Sequence, residues 1–408
     1  MSQRRLRVVD ESLHPRYVVW ELTLACDQPC THCGSRAGDA RARELSTAEA
    51  LDVVRQLAEM RTREVVLIGG EAYLHEGYLD VARALAAAGI RPCMTTGGRG
   101  ITPARARDMA AAGFARVSVS IDGLERAHDL VRAGKGSFLS ATAALAALRD
   151  AGIEIAANTN INRVNRGDLD GLYAHLRACG IKAWQVQLTV PLGRGADRPD
   201  MILQPYDLPA LFAQLAELKA RAYDDGIVMF SANNLGYFGA EEGLLRSTRR
   251  DELHHFQGCI AGRFALGIES DGAIKGCPSL QSDTYIGGNI RQQPLAEIWQ
   301  SEQLAFARER TVADRWGFCA TCPFGDTCQA GCTFTAHALM GRPGNNPYCS
   351  FRARDFASRG LRELLVAKTQ APGRPFDNGS FEIVVEPLAT EDAPLPAAQK
   401  LVQVRRRG

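Results

Sequence analysis

Apolar positions in the first half of the chain follow two periods in alternation. Short runs rich in β-branched residues, such as YVVWELTL from Tyr17 and EVVLIGG from Glu64, have the length and composition of buried strands. Between them lie stretches whose apolar residues recur every three or four positions. The first, STAEALDVVRQLAEM, opens on Ser46 or Thr47 as a helix cap. The alternation predicts further helices near 78–88, 103–112, 137–151 and 167–179, and strands over 91–95, 117–121, 154–160 and 183–189. Six strands separated by helices of ten or more residues imply right-handed crossovers and a parallel sheet. A doubly wound open sheet competes with a (β/α) barrel. No glycine-rich dinucleotide fingerprint follows the first strand, and polar motifs stand at strand ends, where a barrel places its active site.

Beyond residue 190 the pattern breaks. PLGRGADRPD closes the regular half, a helix is expected over 207–223, and 224–256 reads as irregular. FALGIESDGAIKGCPS reads as a β-hairpin turning at Asp271-Gly272. A closing helix is expected over 350–368, then a Pro-rich remainder with one short strand, FEIVVEPL, that either covers the active site or is simply tail, with tail the preferred reading for the last fifteen residues.

Composition narrows the function. A net charge of +2 on 408 residues gives no electrostatic case for nucleic acid or a membrane surface. No apolar run approaches the ~20 residues that span a bilayer. The basic N-terminus has no apolar stretch behind it, so no signal peptide is expected and the location is read as cytoplasmic. In that reducing setting twelve cysteines point to metal or catalysis rather than disulfides. Ten fall into two groups, leaving Cys93 and Cys179 as expected buried spectators.

The first group, Cys26, Cys30 and Cys33, follows strand one with spacing C-x3-C-x2-C. Three thiolates can converge on one soft metal centre, one ligand short of a closed zinc site or an all-cysteine four-iron cluster. A zinc knuckle is the alternative. The stretch resembles the signature of the radical S-adenosylmethionine (SAM) superfamily. The resemblance implies a partial (β/α)6 TIM-like barrel and a [4Fe–4S] cluster whose open iron chelates SAM, which is then cleaved to a 5′-deoxyadenosyl radical. Gly69, Gly70 and Glu71 resemble the family's GGE motif for the SAM amino group, with Ala72 where proline is usual. His32 would lie beside the adenine, and Ser120 and Asp122 in SVSIDG resemble its S-x-D-G contact to SAM. Arg132 matches an arginine that pairs with the SAM carboxylate, with His128 and Asp129 fixing its loop. Asn160 would approach the ribose, and Gln187 and Leu188 the adenine. Thr95-Thr96-Gly97-Gly98 replaces a T-N-G turn expected only to shape the pocket floor.

The second group runs C-x12-G-x4-C from Cys259 to Cys277, then C-x2-C-x5-C-x3-C through Cys319, Cys322, Cys328 and Cys332, ending at Cys349. Its intervals are similar to those of the SPASM extension of radical SAM enzymes; a pair of structural zinc sites is the alternative. The resemblance implies two auxiliary [4Fe–4S] clusters, three clusters in all. Cys319, Cys322, Cys328 and Cys349 would hold the outer one, and Cys259, Cys277 and Cys332 the inner one. The inner set lacks a fourth cysteine, leaving open an unligated iron, a substrate atom, or a ligand from Glu269, Asp271 or the 279–318 segment. Sulfatase-maturing relatives have an aspartate where this chain has Pro278, which cannot act as a base.

The expected layout is an N-terminal segment (1–16), the barrel (17–230), a linker (231–256), a small α+β SPASM domain (257–370) and a C-terminal extension (371–408). The leading expectation is an oxidative maturase that crosslinks or otherwise modifies a ribosomally made peptide. It would draw electrons from a flavodoxin or ferredoxin, and leader recognition, where needed, would come from another surface or a separate leader-binding protein. Oxidation or epimerisation of a small metabolite is the alternative, the latter with Cys93 or Cys179 as hydrogen donor. An iron–sulfur electron carrier or scaffold is the third. No catalytic base stands out. Glu21, Tyr73, His75 and Asn234 are polar candidates with structural roles expected first.

Overall fold

The computed structural model describes residues 13–388 other than Asn233; most of the N-terminal segment and the expected tail lie outside the described residues. Six parallel strands form the barrel wall in sequence order: β1 (Tyr17–Thr23), β2 (Glu64–Gly69), β3 (Arg91–Thr96), β4 (Arg116–Ser120), β5 (Glu154–Ile161) and β6 (Ala183–Leu188). Helices α1 (Thr47–Glu59), α2 (Tyr78–Ala87), α3 (Pro103–Ala111), α4 (Glu125–Arg132), α5 (Ser137–Asp150) and α6 (Leu169–Cys179) connect them. Ser46 caps α1 through a reciprocal box with Glu49. Strand residues pointing outward, such as Val65, Leu67, Val117 and Val119, are fully buried under the helices. The inward set lines the lumen.

Two features extend this sheet beyond the expected six strands. After α7 (Leu208–Asp224), Val228–Ser231 forms β7, parallel to β6, inside the stretch expected to be irregular. On the opposite edge, β8 (Ala265–Ile268) pairs in parallel with β1, Tyr17 opposite Ala265. It turns through Gly272, whose φ of +86° suits glycine, into antiparallel β9 (Ala273–Lys275) and then β10 (Ile286–Asn289). The sheet therefore has ten strands, ordered β10-β9-β8-β1-β2-β3-β4-β5-β6-β7. The hairpin that carries Cys277 past its end is thereby fixed to the barrel wall.

The closing helix is shorter than expected. It spans Ser350–Ser358, and Leu361–Thr369 is strand β11, paired antiparallel with β12 (Ser380–Pro387). LRELLVAKT fits either period; the FEIVVEPL partner, which forms most of β12, decides for strand.

Candidate functional site

Alternate residues of the barrel strands face a cavity of about 440 Å³. At the carboxyl ends of the strands it is lined by His32, Gly69, Asn160, Gln187 and Leu188, all residues singled out in the sequence. Near the strand starts it is lined by Tyr17, Arg116, Ala265 and Cys277. Strands of six residues at ~3.3 Å per residue put these two ends of the order of 15 Å apart. The chamber thus runs from the first cysteine group to the second.

The loop that carries Cys26, Cys30 and Cys33 is tied down from several sides. Gly70 N–H donates to Thr23 O and Glu71 N–H to Ala25 O, both at 2.8 Å. A Cβ on Gly70 would lie 2.0 Å from Ala25 O, so the second glycine of the GGE motif is required by the chain's own strand exit. Arg194 brackets the loop from β6, donating through Nε to Cys30 O and through both terminal nitrogens to Ala37 O. Sequence reasoning missed Arg194, because PLGRGADRPD reads as a linker.

Glu71 is buried, and its carboxylate accepts from Thr96 Oγ1 and Gly97 N, each at 2.6 Å. The Thr95–Gly98 turn therefore does more than shape a floor, since it orients this carboxylate. Burial pushes the Glu71 carboxyl up to about 7, opposed by those two hydrogen bonds.

Asp122 has no exposed surface. It takes Arg132 at 2.7–2.8 Å through two nitrogens and Asn160 N–H at 2.8 Å, with His32 Nε2 at 3.5 Å. Arg132 Nη1 reaches Cys30 Sγ at 3.7 Å. One buried ion pair thus links β4, α4 and the cysteine loop. His32 is pushed down to about 4 by burial, so it is neutral, and its Nδ1 has no protein partner. Asp129 fixes the turn after α4 by accepting from Gly136 and Phe138 N–H, and His128 Nδ1 accepts from Asp122 N–H. Ser120, at the end of β4, shares the inward face with Ser118, which lines the cavity.

The four polar candidates make structural bonds. Glu21 accepts from Arg41 and Ser270, and Tyr73 donates to Asp27. His75 Nε2 meets Leu45 O, and Asn234 pairs both backbone groups of Leu188. Of the two lone cysteines, Cys93 lines the central cavity, whereas Cys179 sits beside His175 at the end of α6.

In the second cysteine group, Cys319, Cys322, Cys328 and Cys349 all line one apolar cavity walled by Tyr237, Phe238, Phe324 and Phe351. Asn346, at the same cavity, leaves Nδ2 buried without a partner. Cys259, Cys277 and Cys332 form a separate set: burial pushes the Cys277 thiol up to about 11 and the Cys332 thiol up to about 12, with Cys259 beside both and Cys277 beside Cys332 adding to it. Glu269 is engaged by Lys275 and Arg41, and Asp271 Oδ1 caps Ala273 N–H, so both carboxylates offered as a fourth ligand have other work.

These sets suit iron–sulfur cages. Clustered cysteine thiolates are the donors that hold such cages. The orphaned Asp27 Oδ1, Gln28 Nε2 and His32 Nδ1 leave polar atoms around the first set for a bound group.

Residues 20–176 match the radical SAM superfamily, and residues 259–323 match SPASM, an iron–sulfur cluster-binding domain. An AdoMet-dependent heme synthase of Methanosarcina barkeri is 30% identical over 348 residues, 83% of this chain and 97% of that protein. The chain is a radical SAM enzyme with a SPASM extension. The mycofactocin maturase MftC of Mycolicibacterium smegmatis is a second such relative, 31% identical over 340 residues and 82% of each chain. Radical SAM membership sets aside the expectation of a bare electron carrier. The fold agrees with native anSMEcpe bound to AdoMet and a Kp18Cys peptide (TM-score 0.66, 18% identity, covering 84% of this chain and 96% of that one). It also agrees with Streptococcus suis SuiB bound to the precursor peptide SuiA (TM-score 0.64, 15% identity, 82% and 75%). The described residues of the radical SAM/SPASM chain include no helix long and apolar enough to cross a membrane.

Proposed function

We propose that the chain is an oxidative maturase of a ribosomally made peptide. SAM, bound at the first cluster and reductively cleaved, supplies a 5′-deoxyadenosyl radical that abstracts a hydrogen atom from a C–H bond. Cys26, Cys30 and Cys33 would hold that cluster; Cys319, Cys322, Cys328 and Cys349 the outer auxiliary one; and Cys259, Cys277 and Cys332 the inner one. Glu71, held by Thr96 and Gly97, would receive the SAM amino group beside Gly69 and Gly70. Arg132 would meet the SAM carboxylate through Nη1, which already faces Cys30. His32, with its free Nδ1, would stand at the adenine with Gln187 and Leu188, and Ser120, Asp122 and Asn160 would shape the ribose side. An external flavodoxin or ferredoxin would deliver electrons, and a separate leader-binding protein could present the peptide.

One observation carries the choice of substrate. The cavity wall has ten serine, threonine, asparagine and glutamine side chains, among them Thr95, Ser118, Asn158, Asn160, Gln185 and Gln187, against two charged ones, Glu21 and Arg116. Amide and hydroxyl groups answer the donors and acceptors of a peptide backbone. The second reading, a heme-type small molecule, is favoured by the near-complete coverage of the Methanosarcina relative. A tetrapyrrole with several carboxylates calls for free cations, yet Arg116 is paired with Glu64 and Glu154. The test is anaerobic incubation of reduced holoenzyme and SAM with the short peptide encoded beside its gene. The expected product is the peptide lighter by a hydrogen pair. Unmodified peptide alongside abundant 5′-deoxyadenosine, with turnover of an iron porphyrin instead, would overturn the reading.

A further inference from the structure

The loop 370–379, which joins β11 to β12, contributes Phe376 to the lining of the chamber. Phe376 N–H donates to Gly34 O at 3.0 Å, on the loop of the first cysteine group. Gly193 N–H, just past β6, donates to Asp377 O at 2.7 Å. The Asp377 carboxylate takes Arg36 Nε at 2.8 Å, and Arg36 also holds Asp197. The Phe376 ring enters the cavity and lies 3.7 Å from Lys275 Nζ on β9. One short loop therefore contacts the first cysteine loop, the exit of β6 and strand β9, and puts an aromatic ring into the chamber.

The backbone at Phe376 is unusual. Its φ is +57°, a left-handed conformation that a bulky residue rarely adopts. Such a conformation persists only where surrounding contacts over-determine it. Here the contacts from the loop to the rest of the chain include two backbone hydrogen bonds, one ion pair and one ring over an ammonium, while within the loop Asp377 Oδ2 accepts from Gly373 and Arg374 N–H and holds the turn. Breaking the outward contacts would free the loop as a unit with its internal turn intact.

We propose that Phe376 is the substrate-selecting wall of the reaction chamber, and that the 370–379 loop swings out on release of the Asp377–Arg36 latch to admit substrate. In place, the ring limits the chamber to groups that fit beside it; withdrawn, the loop opens a side passage wide enough for a chain segment. This rests on the barrel cavity being the chamber of the proposed maturase.

Cys93 provides a readout independent of turnover. It lines the cavity, is 2% exposed, and lies outside the three cysteine sets, as does Cys179, half-buried at the end of α6. Anaerobically prepared full-length holoprotein is treated with N-ethylmaleimide, and labelling of each of the two cysteines is followed by peptide mass mapping. In Phe376→Ala and in Asp377→Asn, Cys93 labels at least about tenfold faster than in wild type, while Cys179 stays within about twofold. The Asp377→Asn variant keeps the ring and carries the test if Phe376→Ala fails to fold. Wild-type labelling of Cys93 in both variants would overturn the proposal. An equal rise at Cys93 and Cys179 would also overturn it, since the loosening would then be global. Failure of the peptide reading would show as absent peptide product and leave these rates unchanged.

Discussion

The Asp122–Arg132 pair makes a sharp energetic prediction. Asp122 is fully buried, and Arg132 is 8% exposed, contacting Asp122 through two nitrogens and Cys30 through a third. Removing one charge strands the other in a low-dielectric site, at a cost of about 3–5 kcal/mol. Removing both leaves no stranded charge, and a buried pair replaced by neutral groups often costs little. Asp122→Asn and Arg132→Met are each expected to lower the thermal midpoint of anaerobic holoprotein by roughly 5–10 °C, taking about 2 °C per kcal/mol for a large chain. The double variant, retaining the acceptor for Asn160 N–H, should melt above either single. Circular dichroism at one scan rate reads all four proteins. A double variant that loses the sum of the two single effects would refute the reasoning, because the two groups would then be energetically independent.

Three further outcomes follow from the same geometry. The Glu71 carboxyl has a folded pKa of about 7 against an ordinary 4.5, so the folded state keeps a proton that the unfolded chain releases between those values. Stability of SAM-free protein therefore falls as pH rises through that window, and Glu71→Gln should remove a penalty of about 3 kcal/mol at pH 8 but almost none at pH 4.5, read as the difference in thermal midpoint. Gly70→Ala puts a methyl 2.0 Å from Ala25 O and should displace the first cysteine loop, lowering bound iron by about four per chain in a colorimetric assay. Cys328→Ala, at the four-cysteine cavity, should likewise lose about four irons yet leave reductive SAM cleavage measurable by chromatography.

The barrel was legible because each of its strands is a short apolar run flanked by a helix-period segment. The hairpin at Asp271-Gly272 was legible from its turn chemistry. Its pairing with β1 was not, since register between segments more than two hundred residues apart depends on tertiary packing. Strand β7 was hidden because IVMFS is short and has no helix before the next break in pattern. LRELLVAKT was ambiguous in period and needed its partner to settle it. At the site, residues with a fixed spacing stood out, while those that hold them did not. Arg194 and Thr96 act through single side chains in stretches whose local pattern says only linker or turn. Phe376 was invisible because nothing in RPFDNG marks a ring that reaches a cavity built from residues far away in sequence.

Metal content of the purified chain tests the account most directly. Anaerobic preparations, assayed for iron, sulfide and zinc on the same sample, should hold about twelve irons and as many sulfides per chain, with negligible zinc. Zinc in place of iron, or about four irons with the second cysteine group remaining as free thiols, would contradict it.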